Sequence, residues 1–304
     1  MAEQHAADIL YAYRFFPETF AESLNIPERG NGMPDILNEC LYELKWLLKM
    51  QMKDGSVCHK LTSMRHANFV MPSEDKRQFI LFPPSSMAAA DFAAVMALAS
   101  RIYAVYEADF SRTALEAARR AWTWLEDHPG FIGFENPEGC NTGGYEDTDD
   151  RDERLWAAVE LYRATAEETY LEEAERLYAV LEQEGKDMVS MGWGNVTGFA
   201  GWCMLEESLC RGGERYGTEG RQEAELQQKY RAAFTAEADR ITALSRKSGY
   251  GAALEAREYE WGSNMIILNR AMILGTAYRL VPEDRYIKCA AGQMDYILGV
   301  LFPE

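Results

Sequence analysis

The sequence predicts an all-α protein of paired inner and outer helices closed into a toroid. Apolar residues recur at three- and four-residue spacing in about ten segments, the period of a helix that buries one face. The segments are of two kinds. Met87 to Leu98 and Met265 to Ala277 are apolar and rich in small residues on most sides, whereas Glu167 to Glu184 carries one charged face. A helix covered on both sides needs no polar stripe, and one that meets water does, so the alternation predicts two layers. Strand signals are confined to residues 57–61 and 78–82.

The first helix is expected near 3–16, on the stripe Ile9, Leu10, Tyr13 and Phe16. The second spans 34–53 and opens on Pro34-Asp35, where a missing N–H costs nothing. Segments 86–107 and 111–127 follow, with Ser85-Ser86 and Ser111 as candidate N-caps. Further segments fall at 150–166, 168–184, 193–210, 220–245, 263–280 and 284–298, the last opened by Pro282-Glu283-Asp284. No strict repeat accompanies them, which argues against a solenoid of identical units. No stretch reads as a linker, so one domain over 1–304 is expected. Two long connections, over 54–84 and 131–149, hold aromatic, amide and carboxylate groups. Long ordered loops on a helical scaffold commonly carry function, and these groups suit a sugar-binding cleft.

A net charge of −18 disfavours nucleic acid and anionic lipid as partners, while a neutral polysaccharide stays compatible. The six cysteines form no CxxC pair and read as small core residues rather than a disulfide framework. No apolar run has membrane-spanning length. The N-terminus lacks the basic and apolar regions of a signal peptide, and its early helical stripe suggests a chain cut inside an element.

Five stretches carry a resemblance. They are Asn31-Gly32-Met33-Pro34-Asp35 running on to Leu44-Lys45-Trp46; Asp54-Gly55 with His59-Lys60-Leu61-Thr62; Asn141-Thr142-Gly143-Gly144-Tyr145 followed by Asp152-Glu153-Arg154-Leu155-Trp156; Trp193-Gly194-Asn195-Val196; and Trp261-Gly262-Ser263-Asn264 with Asn269-Arg270, closing on Asp295-Tyr296-Ile297-Leu298-Gly299. In this order the chain resembles the catalytic domain of glycoside hydrolase family 9, the cellulase type, from about Ala6 to Gly299. The resemblance implies an (α/α)6 barrel of twelve helices, of which about ten are expected here. It also implies inverting hydrolysis of β-1,4-glucan, by two carboxylates about 6.5–9.5 Å apart. The family carries the base in an Asp-Ala-Gly-Asp motif ahead of the first match. Its acid and a His/Arg-containing loop lie beyond the last. Neither motif occurs in residues 1–304, and Glu304 does not stand in the acid's context, so no catalytic residue is assigned. The expectation is a chain truncated at both ends, with activity absent or very weak. The alternative is a non-catalytic glucan-binding or structural barrel. Family members are commonly secreted.

Several residues carry a functional and a bland reading. Thr148, Asp149, Asp152 and Glu153 are dense in oxygen ligands of the kind calcium takes, with Asn195 as a weaker extra. The resemblance implies side-chain ligation by Asp152 and Glu153 and carbonyls from Thr148 and Asp149; the bland reading is a capped, solvated helix start. His59 is implied at the sugar, or is satisfied by loop backbone. Arg77 is a sugar contact or a surface arginine. Trp193, Tyr259 and Trp261 suit stacking on a pyranose, or are buried. Trp46, Trp122, Trp124, Trp156 and Trp202 read as core. Asp35 and Glu39 share a helix face, but capping explains Asp35. Truncation is expected to bare apolar flanks of segments 263–280 and 284–298, favouring a homo-oligomer.

Overall fold

The structure, a computed structural model, describes residues 2–21, 24–145, 147–210 and 221–299. Contacts divide the chain into two compact units, Met1–Leu177 and Tyr178–Glu304. The first holds α1 (Ala2–Phe15), α2 (Asp35–Leu47), β1 (Leu61–Thr62), β2 (Ile80–Leu81), α3 (Ser86–Tyr103), α4 (Ala108–Asp127) and α5 (Arg151–Thr165); the division falls within α6 (Glu168–Gln183). The second holds α7 (Thr197–Met204), α8 (Glu206–Cys210), α9 (Arg221–Ser245), α10 (Ser263–Leu280) and α11 (Asp284–Leu298). Among the described residues no helix is long and apolar enough to cross a membrane.

In the first unit α3 is the inner element. All its residues except Arg101 are buried, and it packs against α4, α5 and α1. Its alanines let those backbones approach closely, and Phe92 on it and Trp156 on α5 are fully buried. The Ser85 hydroxyl caps α3, accepting the Ala88 N–H at 3.2 Å. On α4 the apolar side chains fall at helical spacing on one face, from Phe110 to Leu125, and the other face is charged. One carboxylate joins three helices: Glu160 of α5, fully buried, accepts from Tyr11 of α1, from the Trp156 indole at 3.2 Å and from Arg101 of α3 at 2.7 Å.

In the second unit α9, α10 and α11 pack on one another, and α7 lies against α9. Gly201 of α7 meets the rings of Tyr230 and Phe234 on α9. The Trp202 indole donates to Thr276 Oγ1 at 2.8 Å, tying α7 to α10.

The elements depart from the sequence reading in four places. Segment 193–210 is two helices that begin only at Thr197, because Thr197 Oγ1 donates to the Asp187 carbonyl at 2.7 Å and Asn195 Oδ1 accepts the Thr197 N–H at 3.0 Å. Those bonds hold 187–196 as a turn. Ser111 is not a cap: α4 starts at Ala108, and Ser111 Oγ donates to the Ser100 carbonyl at 2.7 Å. The second α-helix ends at Leu47, where a 3-10 turn leads into the Gln51–Val57 bridge. The strands are shorter than expected, two residues each, antiparallel with Leu61 opposite Leu81.

Burial also differs. Cys40, Cys58 and Cys203 are buried as small core residues, but Cys140, Cys210 and Cys289 are half-buried; all six are free thiols. Trp122, Trp124, Trp156 and Trp202 are core, whereas Trp46 is half-buried. The segment Met265 to Ala277 is not covered all round, since Met265 and Leu268 are exposed. Val300 to Glu304 lie outside the described residues.

Candidate functional site

The predicted site residues fall into two groups, one in each unit. In the first unit, the two long connections are bolted together at His59 and Lys60. The His59 ring stacks on Phe134 with centroids 4.2 Å apart. Its Nδ1 lies 2.9 Å from Ser85 Oγ and its Nε2 2.9 Å from the Gly144 carbonyl. A carbonyl only accepts, so Nε2 carries a proton. With the ring neutral and its one proton on Nε2, Nδ1 accepts, and the Ser85 hydroxyl donates to it. The ring is the neutral Nε2–H tautomer. Burial, reinforced by the Lys60 charge, draws its pKa below the usual value despite the Gly144 bond. This is the arrangement of a histidine satisfied by its loop, and both ring nitrogens are in use.

Lys60 is buried. Its ammonium reaches Asn136 Oδ1 at 2.5 Å and the Gly143 carbonyl at 2.6 Å, and it lies over the rings of Phe82 and Phe134. Asn136 Nδ2 in turn donates to the Thr142 carbonyl at 2.6 Å. These bonds hold 142–143, and Tyr145, two residues on, lies in the left-handed region, φ +54°. An aromatic residue there is strained by about 1–3 kcal/mol. The Tyr145 ring is half-exposed and lies across Gly143, where a Cβ would come within 2.9 Å of it. Tyr145 closes the Asn141–Tyr145 motif without being a predicted site residue; the glycine pair before it is the signal that marks it. Arg77 folds back on its own loop. It grips Asp75, reaches Ser63 Oγ at 3.0 Å and also bonds the Arg65 carbonyl.

The first turn of α5 buries Asp152 and Glu153 completely. The solvated reading of that turn therefore does not describe these two side chains. Among the described residues neither Glu153 oxygen has a hydrogen-bond partner. Burial, and then the charges of Asp152, Asp91 and Asp147, push the Glu153 pKa well up. Burial likewise raises Asp91, to about 8. The Asp149 carboxylate is turned away onto Arg151, at 2.7 and 2.9 Å, and Thr148 is exposed. A buried acidic group of this kind fits a hard cation. Among the described residues no group of three or more His, Cys, Asp or Glu side chains is placed to hold a metal, so backbone oxygens would have to complete the shell. Asn195 is committed to its own turn, donating to the Asp187 carbonyl at 2.8 Å.

In the second unit, Trp193 sits on the turn closed by the Gly192–Asn195 bridge and is 42% exposed. Asn269 of α10 holds that turn by donating to the Met191 carbonyl at 3.1 Å. Tyr259 and Trp261 precede α10, 50% and 99% exposed. Gly262 N-caps α10 at φ +89°. The buried alternative does not hold for any of the three aromatics. Such exposed rings offer flat apolar faces with a polar edge, the form that stacks on a sugar ring.

Comparisons with known proteins agree with the sequence. The model of the family described as glycosyl hydrolase family 9 matches residues 3–300. A cellodextrinase of Butyrivibrio fibrisolvens is 38% identical over 96% of this chain and 54% of its own length. The solved structure of a Bacteroides ovatus GH9 protein superposes with a TM-score of 0.86 at 32% identity, over 98% of this chain and 55% of that one. AaCel9A in complex with cellobiose-like isofagomine superposes at 0.85 with 29% identity, over 98% of this chain and 54% of that one. The chain thus spans about half the length of the relatives it matches. Its fold is all-α, of the (α/α)6 barrel type these structures share.

Proposed function

The chain belongs to glycosyl hydrolase family 9, and from that premise we propose that it binds β-1,4-glucan through its exposed aromatic side chains. Inverting hydrolysis is the reaction of the full-length family domain, and residues 1–304 alone turn substrate over weakly or not at all. The observation that carries the binding reading is the full exposure of Trp261 on the loop before α10, two residues after the exposed Tyr259. Trp193 extends the same surface chemistry, and Arg77 lies on the long loop of the first unit that holds His59. His59 contributes by fixing the Gly144 carbonyl and with it Tyr145. The reading places the protein outside the cell, where such polymers occur.

Two assays test this. Reducing-sugar release from mixed-linkage β-glucan is expected to stay at background for the 304-residue chain; release abolished by a mutation within it would overturn the inactive reading. Cellotetraose should still bind, and Trp261→Ala should weaken binding about tenfold, near 1.4 kcal/mol. Binding without turnover also favours the second reading, a non-catalytic glucan-binding barrel. Unchanged affinity in Trp261→Ala would remove the stacking role.

We further propose calcium at the start of α5, held by the Asp152 and Glu153 carboxylates with the Thr148 and Asp149 carbonyls. When bound, the ion would stabilise the charged form of the Glu153 carboxylate, which burial otherwise disfavours. Calcium in excess over chelator should raise the unfolding midpoint, by about 2.7 kcal/mol of stability at a hundredfold excess over its dissociation constant. Glu153→Gln should abolish the difference. Identical midpoints with calcium and with EDTA would rule the site out.

A homo-oligomer is the third element of the reading. On α11, Ile287, Met294 and Leu298 are exposed at spacings that share one helix face, and α10 adds Met265 and Leu268. Light scattering at high concentration should give a mass above one chain. Added salt should favour association, because it screens the −18 charge, and Leu298→Glu should restore the monomer. A single-chain mass under all conditions refutes it.

A further inference from the structure

We propose that Arg270 and Glu258 are positioning residues for Trp261: a buried guanidinium on α10 reaches back to lock the loop that displays the ring. The proposal rests on the reading of Trp261 as a sugar platform, and it adds what holds that platform in place.

Trp261 itself is bare, so nothing packed around its ring can orient it. Its orientation has to come from the backbone on either side. After it, Gly262 caps α10, and the Ser263 N–H returns to the Glu260 carbonyl at 3.1 Å. Before it, only Tyr259 and Glu260 intervene between Trp261 and Glu258. Glu258 is the fixed point on that side. Its carboxylate accepts a two-pronged bond from Arg270, Nη1 to Oε2 at 2.7 Å and Nη2 to Oε1 at 2.8 Å. Oε2 also accepts the Glu255 N–H at 2.7 Å. The same Arg270 Nη1 bonds the Ala253 carbonyl, so one side chain grips the loop at two places.

The rest of the loop is anchored independently. The buried Gln293 of α11 accepts the Ala253 N–H at 2.7 Å and donates to the Gly251 carbonyl at 3.0 Å. Ala252 and Leu254 pack with Ile267 in a small apolar cluster. Residues 251–254 therefore keep their place without the ion pair. What the pair adds is a side-chain tie from α10 to the stretch leading from 255 to the tryptophan, beside the local turn in which the Glu258 N–H reaches the Glu255 carbonyl at 2.9 Å. The neighbouring cations do not duplicate it: Arg257 pairs with Glu255 at 3.1 Å, and Arg240 pairs with Glu237 at 2.7 Å and lies 3.6 Å from Glu255. Although burial pushes the Glu258 carboxyl up, the Arg270 fork together with the Glu255 N–H outweighs it and the net pKa is lowered, so the pair is charged at neutral pH.

A fork of this geometry fixes direction as well as distance, and a lysine ammonium cannot reproduce it. An exposed ring contributes affinity in proportion to how well it is preorganised. Losing the fork should therefore loosen the ring while leaving the helices intact.

The test labels the full chain with 5-fluorotryptophan, which gives one fluorine line for each of the seven tryptophans, and assigns Trp261 with Trp261→Phe. In Arg270→Lys and Glu258→Gln, the Trp261 line is expected to shift and narrow, while the lines of buried Trp156 and Trp202 stay in place. Cellotetraose affinity should fall about three- to tenfold. A Trp261 line unchanged in both variants overturns the proposal, as does one that moves only together with those of Trp156 and Trp202. Unchanged affinity in Trp261→Ala would instead remove the sugar platform, and the fluorine response, read without ligand, would still decide whether the pair positions the ring.

Discussion

Glu160→Ala should destabilise the protein by about 3–5 kcal/mol, the range for breaking a buried charge pair, and lower the unfolding midpoint by roughly 10 °C at about 2–4 °C per kcal/mol. The fully buried carboxylate joins α1, α3 and α5 through Tyr11, Arg101 and Trp156. Truncation takes from Arg101 the acceptor facing it at 2.7 Å and leaves the volume of the side chain empty beside the Trp156 indole. Glu160→Gln keeps an acceptor for Tyr11 and removes the charge, and should cost about 1–3 kcal/mol. The double variant Glu160→Leu with Arg101→Met removes both charges and should recover part of the loss, the remainder reflecting the Tyr11 and Trp156 donors left without their acceptor. Chemical denaturation of the four proteins decides the matter. A Glu160→Ala loss below about 1 kcal/mol would mean that water or a rearranged Arg101 solvates the site, and that the network does not hold the three helices.

This network shows why part of the molecule was legible in the sequence and part was not. The last two helices lie where the apolar period places them, at Ser263–Leu280 and Asp284–Leu298, because each is bounded by its own signals, Gly262 before one and Pro282 before the other. The 193–210 segment has the same apolar period, yet its first four residues are a turn. The bonds that make it one come from Asp187, outside the window in which the period is read. Glu160 is harder still. Its three partners stand on α1, on α3 and one turn away on its own helix, so a charge inside an apolar pattern gave no hint of its role.

The candidate site divides in the same way. Its residue types and loops were readable from motifs, and the exposed Trp193, Tyr259 and Trp261 stand on the turns those motifs mark. What each side chain touches was not readable. The His59–Gly144 bond spans 85 residues, and the Lys60–Gly143 bond 83. Only the folded connections reveal that both ring nitrogens of His59 are occupied. Burial of Asp152 and Glu153 was likewise invisible, because an acidic helix start looks the same in sequence whether it faces water or α3.

Gly55→Ala is expected to cost about 2–5 kcal/mol, from two sources that can be separated. Gly55 stands at φ +97°, where an L-residue is strained by roughly 1–2 kcal/mol. It also faces α4 at close range. A Cβ there would overlap the Arg120 carbonyl oxygen and lie 3.1 Å from its carbon and 3.3 Å from Trp124 Cβ. Backbone of a packed helix cannot swing aside as a flexible side chain would, so overpacking adds about 1–3 kcal/mol. Gly139 is the control: its φ is +81°, but nothing lies within 4 Å of its Cβ position. Gly139→Ala should therefore show the backbone cost alone, about 1–2 kcal/mol. Equal losses in the two variants would mean that α4 yields to the new methyl and that the close approach is unimportant. A larger loss at Gly55 makes the Asp54-Gly55 motif a packing requirement. The turn is closed by Met52 N–H to the Ser56 carbonyl at 2.8 Å and leads directly through Val57 to His59. Displacing it should also weaken the clasp that holds Tyr145, so protease cleavage within 141–149 should accelerate in Gly55→Ala beyond its rate in Gly139→Ala.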